Sequence, residues 1–299
     1  MPQGGALDTY TLAIGNLLLG NARDADALEL LGGRLRLQVE SPLTVAITGC
    51  GFMATLIRDG RYLSLAAQTR HRVQQGDELV IQQGANPGVA YLCIAGGISD
   101  GSPGSIEQTL TQGSKLSCAE PQELERASQP RAQFGAKIEM LQVEELAIRA
   151  TRGSDDAALP AQAVEEFWSR QWQLTENRSR MGAYLQPLAE APGRASESSA
   201  GKEAAPATPL TLPSHCVLPG TIQLPDKDSP VLLLTDCQTT GGYPKIAKVI
   251  QADMWKLLQA GPRATIKFVE TDIHEATQAL IKQEQSLYRL ELAISRVLG

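Results

Sequence analysis

The chain has 299 residues, a formal net charge of −6, and 42% hydrophobic but only 4% aromatic residues. Its length favours two domains or two subdomains over one, with apolar content for two cores. The acidic balance and the lack of any basic cluster or aromatic–basic interleaving argue against a nucleic-acid partner or an anionic membrane, and no apolar segment approaches the roughly 20 residues that span a bilayer.

The first predicted element is a helix over residues 8–20, with Asp8 as N-cap, Ala13, Ile14, Leu17 and Leu18 on one face, and Gly20-Asn21 closing it. Short apolar or alternating runs then follow one another. Residues 35–39, 43–48, 54–57, 62–65, 78–81 and 89–94 read as strands, with Asp59-Gly60 a two-residue hairpin signal and Gly76-Asp77 a further turn. Many strands without intervening helices point to a barrel or sandwich. Residues 99–133 are polar and rich in Gly, Ser, Pro and Gln, which suits a connector between halves near residue 130.

The second half opens with a helix from Pro160 to about Arg170, for which Val164, Phe167 and Trp168 form the expected buried stripe. Residues 190–210 hold too little apolar surface to order themselves and are expected to form a mobile loop. Residues 246–258 fit either a helix or a strand at their start, and strand followed by a helical turn before Gly261-Pro262 is preferred. A long terminal helix is expected from Asp272, with Asp272 and Glu275 at capping-box-like spacing and Ala276, Leu280, Leu287, Leu290 and Ile294 as its apolar positions.

Five cysteines, at 50, 93, 118, 216 and 237, form no CxxC pair and leave an odd count, so no disulfide framework is expected. Cys50 and Cys93 lie inside apolar runs and read as small buried hydrophobes. The three histidines, His71, His215 and His274, have no carboxylate or cysteine at metal-ligand spacing; each is expected at the surface, and no metal site is expected. With no signal-peptide pattern at the start, a reducing, soluble compartment, the cytoplasm, is the expected location.

The stretch that looks most like a site is Asp-Cys-Gln-Thr-Thr-Gly-Gly-Tyr-Pro-Lys at 236–245, delivered by the apolar run Val231 to Thr235. Gly241-Gly242 permits positive φ and close backbone approach to a ligand; Gln238, Thr239 and Thr240 offer neutral donors and acceptors; Lys245 adds a cation in what should be an exposed turn. That mixture suits a polar or anionic small molecule. The same residues also fit a Gly-Gly turn in a hairpin with solvated side chains.

Together with this decapeptide, several spaced segments resemble the biotin-dependent carboxyltransferase family that includes the C component of 5-oxoprolinase, the second component of allophanate hydrolase and the A/B half of the urea carboxylase carboxyltransferase domain. They are Gly4-Gly5-Ala6-Leu7-Asp8 with Ala13 to Asn21 and Ala27-Leu28-Glu29, Thr48-Gly49-Cys50-Gly51-Phe52, the Gly76-Asp77 turn, Tyr91 to Ile98, Asn177 to Gly182, and Val217-Leu218-Pro219-Gly220-Thr221-Ile222-Gln223-Leu224-Pro225. Two family segments lack a counterpart: an opening Thr-Val-Gln-Asp-x-Gly-Arg strand, just after whose place this chain starts, and the Gly-Ser-Arg-Ser-Thr that normally follows Gly-Gly-Ile.

The resemblance implies a mainly β protein of two cyclophilin-like β-barrel subdomains with a few short helices, divided as 1–130 (A) and 131–299 (B). It implies a subunit of an ATP-dependent 5-oxoprolinase, inactive alone, acting with a second carboxyltransferase-like subunit and a LamB/YcsF-type subunit. Two other readings are a regulatory module antagonising a histidine-kinase inhibitor and half of a biotin-dependent urea or amide carboxyltransferase. Opening a lactam calls for donors aimed at developing oxyanions. Lys245, Gln238 and Arg178 are the catalytic candidates, and Asn177, Arg180, Thr239, Thr240, Gly241, Gly242 and Tyr243 the substrate-binding ones. No Gly-x-x-x-x-Gly-Lys-Ser/Thr run occurs, so ATP use is assigned to the complex, and biotin enters only under the carboxyltransferase reading.

Overall fold

The computed structural model describes residues 4–85, 88–99, 109–118, 145–188 and 211–298. The boundary expected near residue 130, most of the expected connector and the loop expected at 190–210 lie outside them. The chain is mainly β and divides into two compact units, each assembled from separated stretches. One takes its described residues from 5–118, 255–261 and 279–298, the other from 4, 145–254 and 262–278.

In the first unit α1 (Thr9–Leu18) starts where the Asp8 carboxylate accepts the Thr11 N–H at 3.0 Å and the Thr11 hydroxyl at 2.6 Å, so the expected N-cap forms. Ala13, Ile14, Leu17 and Leu18 are buried along it, and Gly20, at φ +75°, ends it. Eight strands follow: β1 (Leu28–Leu30), β2 (Arg34–Gln38), β3 (Leu43–Gly49), β4 (Phe52–Arg58), β5 (Arg61–Leu65), β6 (Arg70–Val73), β7 (Glu78–Gln83) and β8 (Ala90–Ile94). They pair antiparallel into two four-stranded sheets, β1-β8-β3-β6 and β2-β7-β4-β5, beside a short ribbon of β9 (Ile98–Ser99) and β10 (Ser117–Cys118). Alternation decides the packing: Val45, Ile47, Val73 and Leu92 from one sheet and Ala54, Leu56, Leu79 and Ile81 from the other make one buried cluster.

The Asp59-Gly60 signal is a two-residue turn with φ of 49° and 74°, joining β4 to β5 with Arg58 opposite Arg61. After Gly76, at φ 89°, the buried Asp77 accepts both Arg58 Nε at 2.8 Å and Arg58 Nη2 at 2.6 Å, as well as the Gln74 N–H at 2.7 Å. These bonds, the Arg58 fork first, hold the Asp77 carboxyl below the usual range. Cys93 is buried as expected, and burial pushes its thiol up to about 12; Cys50 is only half-buried.

The second unit is built on β11 (Glu145–Arg152), a 3-10 turn at Asp156–Ala158, α2 (Ala161–Ser169), β12 (Trp172–Arg178), β13 (Gly182–Pro187), β14 (His215–Cys216), β15 (Thr221–Gln223), β16 (Val231–Leu233), β17 (Thr240–Gly241), β18 (Lys245–Val249) and β19 (Thr265–Glu270). Seven of these strands close a barrel in the order β11-β18-β15-β16-β13-β12-β19, with β11 and β19 parallel. Closure leaves no free sheet edge in the barrel.

Helix α2 buries only Phe167 of its expected stripe, against Phe268 of β19 with ring centroids 5.1 Å apart. Trp168 is half-exposed. The aromatic that fills the core is instead Trp172, whose Nε1–H donates to the Phe167 carbonyl at 3.0 Å. The helix ends at Ser169, so helical periodicity no longer applies and strand alternation turns Trp172 inward. Residues 246–258 resolve as preferred, into β18 followed by α3 (Gln251–Gln259), a nine-residue helix rather than a single turn. The long terminal helix α4 (Ile273–Leu298) is capped as expected by Asp272, whose Oδ1 accepts the Glu275 N–H at 2.8 Å.

Candidate functional site

The decapeptide 236–245 does follow a buried strand, β16, but it is not a hairpin. Strands β16 and β18 both pair with β15 and not with each other, and between them β17 lies against β14, with Thr240 opposite Cys216 and Gly241 opposite His215. Backbone bonds hold the ribbon in place: the Val217 N–H donates to the Thr239 carbonyl at 3.0 Å and the Leu212 N–H to the Gly242 carbonyl at 2.6 Å.

At its start the segment is tied to Arg180, which forks onto Asp236 with Nε–Oδ2 at 2.7 Å and Nη2–Oδ1 at 3.2 Å, while the Asp236 N–H donates to the Arg180 carbonyl at 3.0 Å. At its end it meets Asp155. The Asp155 Oδ2 accepts the Lys245 N–H at 3.0 Å, lies 3.0 Å from His215 Nε2 and 3.8 Å from Lys245 Nζ, and the Ser154 hydroxyl donates to Oδ1 at 3.1 Å. Burial alone would raise this carboxyl. The Lys245 N–H, the Ser154 hydroxyl and the positive charge of Lys245 and His215 outweigh burial and hold it below the ordinary value.

Two expectations for the decapeptide change. Neither Gly241 nor Gly242 has a positive φ. Instead, a Cβ on Gly241 would stand 2.5 Å from Gln223 Nε2 and one on Gly242 3.0 Å from the Leu212 carbonyl, so the glycines make room for the protein's own groups. Nor is Lys245 in an exposed turn. It opens a barrel strand, its side chain is 18% exposed, and its Nζ donates to the Cys216 carbonyl at 3.4 Å. Of its three N–H directions one is aimed at the Cys216 carbonyl, while Asp155 Oδ2, at 3.8 Å, is an ion-pair contact beyond hydrogen-bond length.

His215 is the residue that sequence reasoning missed. Its Nδ1 lies 2.8 Å from the Pro213 carbonyl and its Nε2 faces Asp155, so both ring nitrogens meet acceptors and both contacts are hydrogen bonds only in the imidazolium form. It holds the Asp155 carboxylate in place. No local signal marks it, because its partner stands 60 positions away.

Gln238, Thr239, Thr240 and Tyr243 are exposed, and Gln223 Nε2 donates to the Tyr243 carbonyl at 3.4 Å. Asn177 is exposed near the end of β12, with its N–H donating to Thr175 Oγ1 at 3.2 Å. Arg178 is half-buried, and desolvation pushes its guanidinium down. Cys237 is buried with Val217 and Leu233, and burial raises its thiol. His71 bonds the Ala66 carbonyl through Nε2 at 2.7 Å, and His274 is exposed. Among the described residues no group of His, Cys, Asp and Glu is placed to hold a metal, and no helix is long and apolar enough to cross a membrane. An open groove of about 800 Å³ on the same unit is lined by Arg152, Asp156, Leu159, Val164, Trp168 and Glu270 among others, and by none of the decapeptide.

Against known proteins, residues 1–270 match the family of the carboxyltransferase domain, subdomain A and B. The chain belongs to that family. It is 32% identical to the C component of the 5-oxoprolinase of Escherichia coli K12, over 97% of this chain and 88% of the relative, and 31% identical to that of Haemophilus influenzae, over 94% and 86%. Among solved structures of the family, the Kluyveromyces lactis urea carboxylase superposes with a TM-score of 0.69 at 25% identity, over 97% of this chain but 26% of that one. This carboxyltransferase-domain chain therefore spans most of the length of the bacterial relatives and about a quarter of the fungal enzyme.

Proposed function

We propose that the chain is a subunit of an ATP-dependent 5-oxoprolinase complex, in which the lactam of 5-oxo-L-proline is opened to L-glutamate. The observation that carries this reading is the 32% identity to the C component of a 5-oxoprolinase, extending over 97% of one chain and 88% of the other. The net reaction adds water across the amide: the carbonyl carbon gains an oxygen and the ring nitrogen leaves as the amine of glutamate. Donors must stabilise the negative charge that builds on the carbonyl oxygen.

Lys245 is assigned that task, supported by the N–H directions that its one Nζ hydrogen bond, to the Cys216 carbonyl, leaves open, and Gln238 and Arg178 are the other members of the catalytic set. Thr239, Thr240, Gly241, Gly242, Tyr243 and Asn177 are assigned to the substrate. Arg180, already forked onto Asp236, serves this set by holding the start of the segment. ATP supplies activation of the amide oxygen within the complex. No Gly-x-x-x-x-Gly-Lys-Ser/Thr run occurs in the chain, and no step through ATP is assigned to it. The assembly is completed by a second carboxyltransferase-like subunit and one of LamB/YcsF type, and a cytoplasmic location fits it.

The likeness to the urea carboxylase favours one second reading, a half of a biotin-dependent carboxyltransferase whose biotin carrier is another chain. The test is reconstitution of the purified chain with both partner subunits, scored by ATP-dependent glutamate release. Release that needs all three and persists with avidin present is expected. No release, or release abolished by avidin, rejects the oxoprolinase reading.

A further inference from the structure

The closed barrel has no sheet edge, but among the described residues the two four-stranded sheets of the other unit have four: β1, β6, β2 and β5. Three are blunted in the usual ways. Strand β1 has three residues, β6 carries Arg70, His71 and Arg72, and β2 presents Arg34 and Arg36. Strand β5, Arg-Tyr-Leu-Ser-Leu, has no proline, no lysine and one terminal arginine. Its only ladder partner among the described residues is β4. Large apolar side chains gather on it: Tyr62 is 76% exposed and Leu63 44%, and Met53 on the neighbouring β4 is 61% exposed.

We infer that β5 pairs with β5 of a second copy of this chain, antiparallel about a two-fold axis through Leu63. The register follows from the hairpin. Arg58 and Arg61 flank the two-residue turn as a hydrogen-bonded pair, so Arg61, Leu63 and Leu65 direct their N–H and C=O toward β4, and those of Tyr62 and Ser64 point to the open edge. Antiparallel pairing uses the outward-facing residues, which sets Tyr62 opposite Ser64 of the copy, and the reverse, as hydrogen-bonded pairs. Leu63 then faces Leu63 in the non-bonded position, where side chains come closest, and the two tyrosines sit diagonally across the axis on the outer face. Arg61 falls opposite Leu65, so no like charges oppose each other. A strand with a charge at its centre would repel its own copy; this one is self-complementary.

The test combines sedimentation velocity on the purified chain from about 1 to about 100 µM with hydrogen exchange at both ends of that range. The wild-type mass should double with concentration, and the Tyr62 and Ser64 amides should exchange at least about tenfold more slowly in the concentrated sample while the Arg61 and Leu63 amides change little. Ser64→Pro, which removes an edge donor, and Leu63→Lys should stay monomeric with unchanged circular dichroism. A wild type that remains monomeric, a dimer whose Tyr62 and Ser64 exchange is unaltered, folded variants that still dimerise, or protection that appears only when another protein is added would each overturn the inference. If the variants fail to fold, the wild-type exchange decides.

Discussion

Lys245 and its neighbours show how much a single side chain's role depends on residues far away in the chain. Its charge was legible from the decapeptide; Asp155, which pairs with it, and His215, which shares that carboxylate, were not, since nothing near Asp155 in sequence announces a basic partner. Lys245→Met keeps the aliphatic stem and removes the charge. Because the ion pair with Asp155 is long, at 3.8 Å, urea unfolding should register a loss of no more than about 1 kcal/mol. Glutamate release by the reconstituted complex should fall about tenfold or more, since a charge-assisted hydrogen bond contributes about 1.5–3 kcal/mol. Unchanged turnover in an assembled, active complex would remove Lys245 from the site. Asp155→Asn should destabilise more, because it weakens the contacts with His215, with the N–H and the charge of Lys245, and with Ser154. The Asp155 carboxyl is held below its ordinary value of 3.8, so its contribution is present above that pH and lost as pH falls through the lower folded value. Urea midpoints of wild type and Asp155→Asn should therefore differ clearly at neutral pH and converge in acid.

Among the elements, α1 and α3 are joined by a buried amide. Gln259, the last residue of α3, is 4% exposed; its Nε2 donates to Asp8 Oδ2 at 2.7 Å and to the Val89 carbonyl at 2.9 Å, and its Oε1 accepts the Cys50 N–H at 2.7 Å. The N-cap was readable because Asp8 and Thr11 are three residues apart; Gln259 was not, because it comes from 251 residues away. Gln259→Leu leaves a buried carboxylate, an N–H and a carbonyl short of partners, and denaturant unfolding should show a loss of about 2–4 kcal/mol. A loss under about 1 kcal/mol would mean that water replaces the amide. Burial raises the Asp8 carboxyl above 3.8, against the bonds from Thr11 and Gln259. A raised acid works in the opposite sense to Asp155: its contribution to stability is fully present below 3.8 and diminishes as pH rises through the folded value.

On the scale of the whole chain, the 5-oxoprolinase reading predicts that the purified protein alone releases no glutamate from 5-oxoproline with ATP, and that release appears when both partner subunits are added; turnover by the single chain would contradict it. The β class, most strands, the Asp59-Gly60 turn, the caps of α1 and α4 and the family were all legible in the amino-acid sequence. Apart from the family, which rests on segments spaced along the chain, each rests on residues within a few positions of one another, where alternation, turn chemistry and capping act. What only the tertiary structure decided is which strands meet: one unit closes seven strands into a barrel while the other shares a core between two sheets, and residues 255–261 and 279–298 join residues 5–118 in one compact unit. Periodicity assigns a residue to a face without naming the face opposite. For the same reason Trp172 rather than Trp168 fills the barrel, the glycines of the decapeptide accommodate Gln223 and Leu212, and His215 pairs with Asp155: each outcome depends on a neighbour brought close by folding.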